Sequence, residues 1–350
     1  MTEDRTGPRI GFMFDRGRSP EELTGFAALL EELGADDLWV VEDLGWTGSI
    51  SSAALALAAT RTLRVGVGIA PVALRNAALL AMEVGNLARV HPGRLAAGVG
   101  HGVPEWMRKV GAEPARKLAM LEETIVAVRG LLAGDEVELH GRAVTVDGVR
   151  LVHPPAVLPP IVTGVVRPRS LELSGRVADG TILAEGAGPA EVVDALAHID
   201  RGRSAGDRPA HELIVFAFLH VDDDRDRASE AVREVMAGQA AWLGVEPSAV
   251  YGMVGPASAI PAQVEALHQA GADTVVLRPI GTDPDAQTRA AMAALAHWVL
   301  RVVTLVVGRR TEGSGRQYGC TVRVTAERGC GCCLPDRARV RGRISTCWRC

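Results

Sequence analysis

The sequence predicts an α/β fold, a TIM (β/α)8 barrel with insertions, on three observations. Short β-branched runs alternate with longer amphipathic segments of helical period, eight such units fit within roughly the first 300 of 350 residues, and no low-complexity linker divides that stretch. Strands are predicted near Arg9–Met13, Asp37–Val41, Arg64–Ala70, Leu95–Gly100, Pro160–Gly164, Gly180–Ala184, Glu212–His220 and Asp273–Arg278. Amphipathic helices are predicted at Pro20–Leu33, Asn76–Val90, Leu118–Leu132, Pro168–Val177, Pro189–Arg203, Arg225–Ala237, Pro261–Gln269 and Asp285–Leu300. Two insertions interrupt the repeat. Glu136–Leu139 and Ala143–Val146 flank His140-Gly141-Arg142 and read as a hairpin after the fourth strand's helix, and Gly238–Ile260 precedes the last unit.

Composition bounds the function. With 47% hydrophobic and 23% charged residues the chain can bury a sizeable core, and it contains neither an apolar leader at Met1–Asp15 nor a run of about 18 apolar residues. A cytoplasmic protein is expected. Residues 301–350 hold 11 Arg against Glu312, Glu327 and Asp336, a net of +8, so the preceding 300 residues carry −12 of the overall −4. An acidic body is repelled by nucleic acid and anionic membrane, which leaves a small-molecule substrate as the expected partner.

The stretch "AGVGHGVPEW" (97–106) resembles a nucleotide loop, but its glycines at 98, 100 and 102 do not give G-x-G-x-x-G. In a barrel it becomes the fourth strand and its loop at the C-terminal mouth, where active sites are built. Glycines there let a planar ring or a phosphate approach the backbone, or simply ease barrel curvature. The second strand ends in Glu42-Asp43 with Trp46 beyond, and the fifth runs through Thr163-Gly164 into Val165-Val166-Arg167-Pro168-Arg169. A helix N-terminus flanked by two guanidiniums makes an anion site.

"FDRG" (14–17), "LWVVED" (38–43), "RNAALLAMEVGNLARVHPGRLAAGVGHG" (75–102), "PRSLELSGRVADGTILAEG" (168–186) and "GADTVVLRP" (271–279) together resemble the bacterial luciferase-like flavin-dependent oxidoreductases. The likeness is to the branch containing methylenetetrahydromethanopterin reductase and other users of the deazaflavin coenzyme F420. It implies a hydride-transferring oxidoreductase acting on a small organic substrate, with an FMN-dependent monooxygenase as the alternative and a non-catalytic flavin-binding protein as a third reading. It also implies a cofactor ring against Gly68, Ile69, Ala70, Gly100, His101 and Gly102, with a bulge and a cis non-prolyl peptide near Gly68–Ala70. The phosphate falls to Thr163, Gly164, Val165 and Arg167, closed by Ala184, Glu185 and Gly186. Several relatives carry Asp-His or Glu-His where this chain has Glu42-Asp43, so the expected imidazole is missing there. His101 is then the candidate proton relay and Asp43 its catalytic companion, with Glu42, Trp46 and Trp106 walling the substrate pocket. No metal is expected in this site, and the assembly expected is a homodimer.

All six cysteines, Cys320, Cys330, Cys332, Cys333, Cys347 and Cys350, lie in the tail. The body at 1–308 is expected to be the whole barrel domain, and the Arg/Cys-rich tail at 309–350 to lie outside the fold. Cys330-x-x-Cys333 and Cys347-x-x-Cys350 leave a four-thiolate zinc site open, but the spacer of 13 is short and offers almost no apolar face. Deletion after Gly308 should therefore leave folding, cofactor affinity and turnover intact, whereas stoichiometric zinc in the full chain or loss of activity on truncation would contradict this.

Overall fold

The computed structural model describes residues 7–205 and 210–308, with side chains of the last helix described to residue 296. The chain runs β1 (Arg9–Met13), α1 (Leu23–Leu33), β2 (Asp37–Val40), α2 (Ser49–Ala59), β3 (Arg64–Val67), β4 (Ala70–Pro71), α3 (Ala77–Val90) and β5 (Leu95–Gly100). It continues through α4 (Pro104–Lys109), α5 (Lys117–Ala133), the antiparallel hairpin β6 (Val137–His140) and β7 (Thr145–Val149), β8 (Ile161–Gly164), α6 (Pro168–Val177), β9 (Gly180–Leu183), α7 (Pro189–Arg203) and β10 (Glu212–Val221). The last elements are α8 (Arg225–Leu243), β11 (Gly252–Gly255), α9 (Ile260–Gln269), β12 (Thr274–Pro279) and α10 (Pro284–Gly308).

Parallel pairing in the order β12-β1-β2-β3-β5-β8-β9-β10, with β10 returning to β12, closes the eight predicted strands into a TIM barrel. The inserted hairpin is present after α5, its second strand beginning at Thr145 and not at Ala143. Three features depart from the sequence pattern. The predicted third strand is two pieces, β3 and β4, broken at a cis Gly68–Ile69 peptide. Helix α2, "SISSAALALAA", and the short α4 were not predicted. The segment Gly238–Ile260 contains the last turns of α8 and β11, a strand added in parallel to β10 outside the closed ring.

The interior of the barrel is a small apolar cluster, including Met13, Trp39, Val162, Ile182, Ile214, Phe216 and Val276. Trp39 is fully buried and meets Phe216 edge to face, with ring centroids 5.5 Å apart. Its volume is accommodated by a glycine on the next strand, since a Cβ at Gly66 would lie 2.4 Å from the indole. A larger apolar cluster fills the shell between strands and helices.

The segment Ser174–Gly180, the most distinctive block of the sequence, works in that shell. A Cβ at Gly175 would lie 2.0 Å from the Ile199 carbonyl oxygen, and one at Gly202 would lie 1.9 Å from that of Glu172, so α6 and α7 cross with their backbones in contact. Ser174 links the buried hydroxyls of Thr163 (2.5 Å) and Thr181 (2.6 Å). Asp179 accepts from Arg129 and from the Ile161 backbone N–H.

Charge closes the floor opposite the mouth. Asp37, 0% exposed, accepts from Arg9 and Arg64, and Arg64 also donates to Glu212, which in turn accepts from Thr274. These residues open β2, β1, β3, β10 and β12 respectively, so one network ties five strand starts. Burial opposes ionisation of Asp37, but Arg64 and Arg9 outweigh it and hold the carboxyl below its ordinary range. Asp37→Ala, which leaves buried guanidinium charge without its carboxylate, should lower unfolding free energy by about 3 kcal/mol in denaturant titration. A loss near zero would mean that the floor network contributes nothing net.

Candidate functional site

The mouth is built by the loops that leave the C-terminal ends of the strands. The cis peptide turns the chain between β3 and β4 so that Ile69 lies against two glycine backbones. A Cβ at Gly100 would approach Ile69 and the Gly164 carbonyl oxygen to 3.0 and 2.8 Å, and one at Gly164 would approach Ile69 to 2.7 Å. Gly68, Ile69, Gly164, His101 and Gly102 all remain partly exposed, while Ala70, Thr163 and Val165 are buried. The structure thus gathers the residues expected to bed a ring, with one refinement: the room beside Gly100 and Gly164 is filled by Ile69, so Ile69 supplies the surface there. Gly102 is in the left-handed region (φ 69°), and Pro71 and Met107 occupy the space a Cβ would need, which fixes the loop that carries His101.

His101 Nε2 lies 3.1 Å from Ser170 Oγ on α6. Desolvation, with Lys117 nearby, keeps its pKa below the ordinary 6.5, so the imidazole is neutral at neutral pH. Helix α6 starts with Pro168, and both Arg167 and Arg169 at its N-terminus are exposed without an ion-pair partner among the described residues. Pro168 has no N–H and those of Ser170 and Leu171 donate to the Arg167 carbonyl, so the helix dipole and the two guanidiniums are what this end offers an anion. By contrast, Thr163's hydroxyl is turned into the shell toward Ser174.

The acids of the mouth are each held by arginine. Glu42 accepts from Arg75 and from the backbone N–H (2.9 Å) and hydroxyl (2.7 Å) of Ser49, the first residue of α2. Burial works against its charge, and these bonds lower its pKa nevertheless. Asp43 pairs with Arg16, whose guanidinium lies 5.8 Å from the centre of the Trp46 ring. Arg278, at the end of β12, donates to Asp15 (2.7 Å) and Glu185 (3.0 Å). The backbone of Glu185 accepts from Gln239, and Gly186 bridges to Tyr251, so the Ala184–Gly186 loop is tied to α8 and the segment before β11. Trp46 is 55% exposed at the rim and Trp106 is partly buried on α4.

Sequence reasoning placed Glu42 as a pocket wall, and the structure shows it, partly exposed, bound to Arg75 and to Ser49 at the start of α2. It missed Arg16, Arg75, Arg278, Asp15 and Ser170 as partners. Arg16 and Asp15 lie in the quoted "FDRG" and Arg278 in "GADTVVLRP", but nothing local shows which acid each arginine meets.

A closed parallel barrel with a broken third strand and loops gathered at the C-terminal ends of its strands defines the class as a TIM-barrel α/β protein. The chain belongs to the luciferase-like monooxygenase family, whose profile matches residues 6–312. It is 28% identical over 218 residues to 5,10-methylenetetrahydromethanopterin reductase of Methanolobus tindarius, covering 62% of this chain and 66% of that protein. It is 29% identical over 231 residues to the F420-dependent glucose-6-phosphate dehydrogenase of Nakamurella multipartita, covering 61% and 68%. The chain thus spans about two thirds of the length of these curated relatives. Among solved structures, an F420-dependent secondary alcohol dehydrogenase in complex with an F420-acetone adduct superposes with TM-score 0.74 at 19% identity, covering 83% of this chain and 99% of that one. The coenzyme F420-dependent tetrahydromethanopterin reductase from Methanopyrus kandleri gives 0.71 at 18%, covering 83% and 98%.

Glu42→Ala would leave Arg75 unpaired and Ser49 without its acceptor. It should cost about 2 kcal/mol of stability, read as a lowered thermal midpoint. An unchanged midpoint with impaired substrate affinity would instead return Glu42 to the pocket.

Proposed function

We propose that the protein is an oxidoreductase that transfers hydride between coenzyme F420 and a small organic substrate bound at the barrel mouth. The observation that carries this reading is the pairing of an open anion site, Arg167 and Arg169 at the N-terminus of α6, with the Ile69–Gly100–Gly164 surface across the ends of β3, β5 and β8. A deazaflavin with an anionic side chain matches that donor set. The F420-dependent glucose-6-phosphate dehydrogenases among the 28–29% identical relatives support the same cofactor.

When bound, the deazaflavin supplies hydride chemistry and reacts poorly with oxygen. The protein's own residues bind, orient and exclude water. Gly68, Ile69, Ala70, Gly100 and Gly102 would bed the ring, and Gly164, Val165 and Arg167 its phosphate, with Thr163 supporting that loop from behind. Ala184, Glu185 and Gly186 would close the other side. His101 is neutral and can hold or pass a proton at the acceptor, and Asp43, through Arg16, fixes the rim over which Trp46 lies. Trp46 and Trp106 wall the substrate side and keep water from the reacting centre.

Among the described residues no helix is long and apolar enough to cross a membrane. We place the protein in the cytoplasm as a homodimer. Leu55 on α2 and Leu79 and Met82 on α3, 47–58% exposed, offer an apolar face on which two copies would meet.

Equilibrium titration with F420 and with FMN tests the cofactor assignment. Low-micromolar or tighter F420 binding, weakened at least about tenfold by Arg167→Ala with Arg169→Ala, is expected. Tight FMN binding without F420 binding would favour the luciferase-type monooxygenase. Binding of either cofactor without turnover would favour the non-catalytic reading.

A further inference from the structure

His101 and Ser170 stand 69 positions apart and meet at one hydrogen bond, 3.1 Å from Nε2 to Oγ. Both ends of that bond are held. Ser170 is 8% exposed in the first turn of α6, where its backbone N–H donates to the Arg167 carbonyl (2.9 Å). His101 comes directly after the end of β5, with Gly100 paired to Pro71 on one side and the left-handed Gly102 packed against Pro71 and Met107 on the other. The backbone around the ring is therefore fixed, and the remaining freedom is in the imidazole itself. A hydroxyl both donates and accepts, so Ser170 can hold Nε2 whichever ring nitrogen carries the proton, and what the bond fixes is where the ring points.

We propose that Ser170 is a positioning residue for His101: its hydroxyl engages Nε2 and fixes the orientation of the ring, so that Nδ1 is the nitrogen offered to the ligand. The same turn of α6 comes just after Arg167 and contains Arg169. An anionic ligand end seated on that turn and the imidazole are consequently registered to one rigid element. The role in turnover rests on the reading of His101 as the working imidazole, whereas the ring positioning does not.

The test uses the full chain without cofactor, labelled with 15N at its nine histidines, and His101→Asn assigns the His101 signals. In long-range 1H–15N spectra Ser170→Ala should displace the His101 Nε2 shift, and Ser170→Thr, which keeps the hydroxyl, should restore the wild-type pattern. In F420-linked turnover Ser170→Ala should lower kcat about tenfold with the cofactor Kd within about twofold, and Ser170→Thr should recover it. Unchanged His101 nitrogen shifts in Ser170→Ala would overturn the proposal. Altered shifts with unchanged kcat would keep the ring positioning and overturn the part His101 is given in turnover.

Discussion

Closing eight short parallel strands leaves a fixed interior volume that side chains must fill without voids, and the rest of the molecule depends on how this chain fills it. Trp39 occupies the middle because Gly66 opposite has no Cβ, and Phe216 packs edge to face against it while also limiting the space at Gly68. Below that layer the Asp37–Arg64–Glu212 network ties the strand starts together with charge. Above it the third strand stops pairing regularly, and Ile69 turns across Gly100 and Gly164. Ile69 therefore covers Gly100 and Gly164 at the ends of β5 and β8, and the helix after β8 brings Arg167 and Arg169 to the same end of the barrel.

The mouth is rich in ionisable groups, yet most are already paired. Asp15, Glu42, Asp43 and Glu185 are each engaged by Arg278, Arg75 or Arg16. Burying a carboxylate is costly unless it is paired, and here the pairing also stitches loops from different strands together. Among the described residues Arg167 and Arg169 have no ion-pair partner, and the proposed function gives them the anionic end of the ligand.

Much of this was legible in the sequence, for physical reasons that differ between elements. The eight strands were visible because strands buried on both faces are continuous β-branched runs. Helix α2 was not, because "SISSAALALAA" carries no charge and its small residues give little contrast between faces. The break at Gly68–Ile69 came from family resemblance and not from periodicity, which reads straight through Arg64–Ala70. Ser174–Gly180 identified the family, yet its side chains and glycines serve helix packing and strand support and not the ligand. The arginine–acid pairs were invisible because they join residues far apart in sequence, as with Arg278 and Asp15, 263 positions apart. The cysteine tail lies outside the described residues, so the alternatives for it stand as the sequence left them.

The central claim is that this mouth supports hydride transfer and not oxygen insertion. It is tested most directly by mixing the protein with reduced F420 and a panel of small carbonyl and imine acceptors under strict anaerobiosis, following the visible absorbance of the oxidised coenzyme. Acceptor-dependent oxidation that proceeds without oxygen is the expected result. Turnover that requires oxygen, and that runs with reduced FMN while reduced F420 is inert, would contradict it.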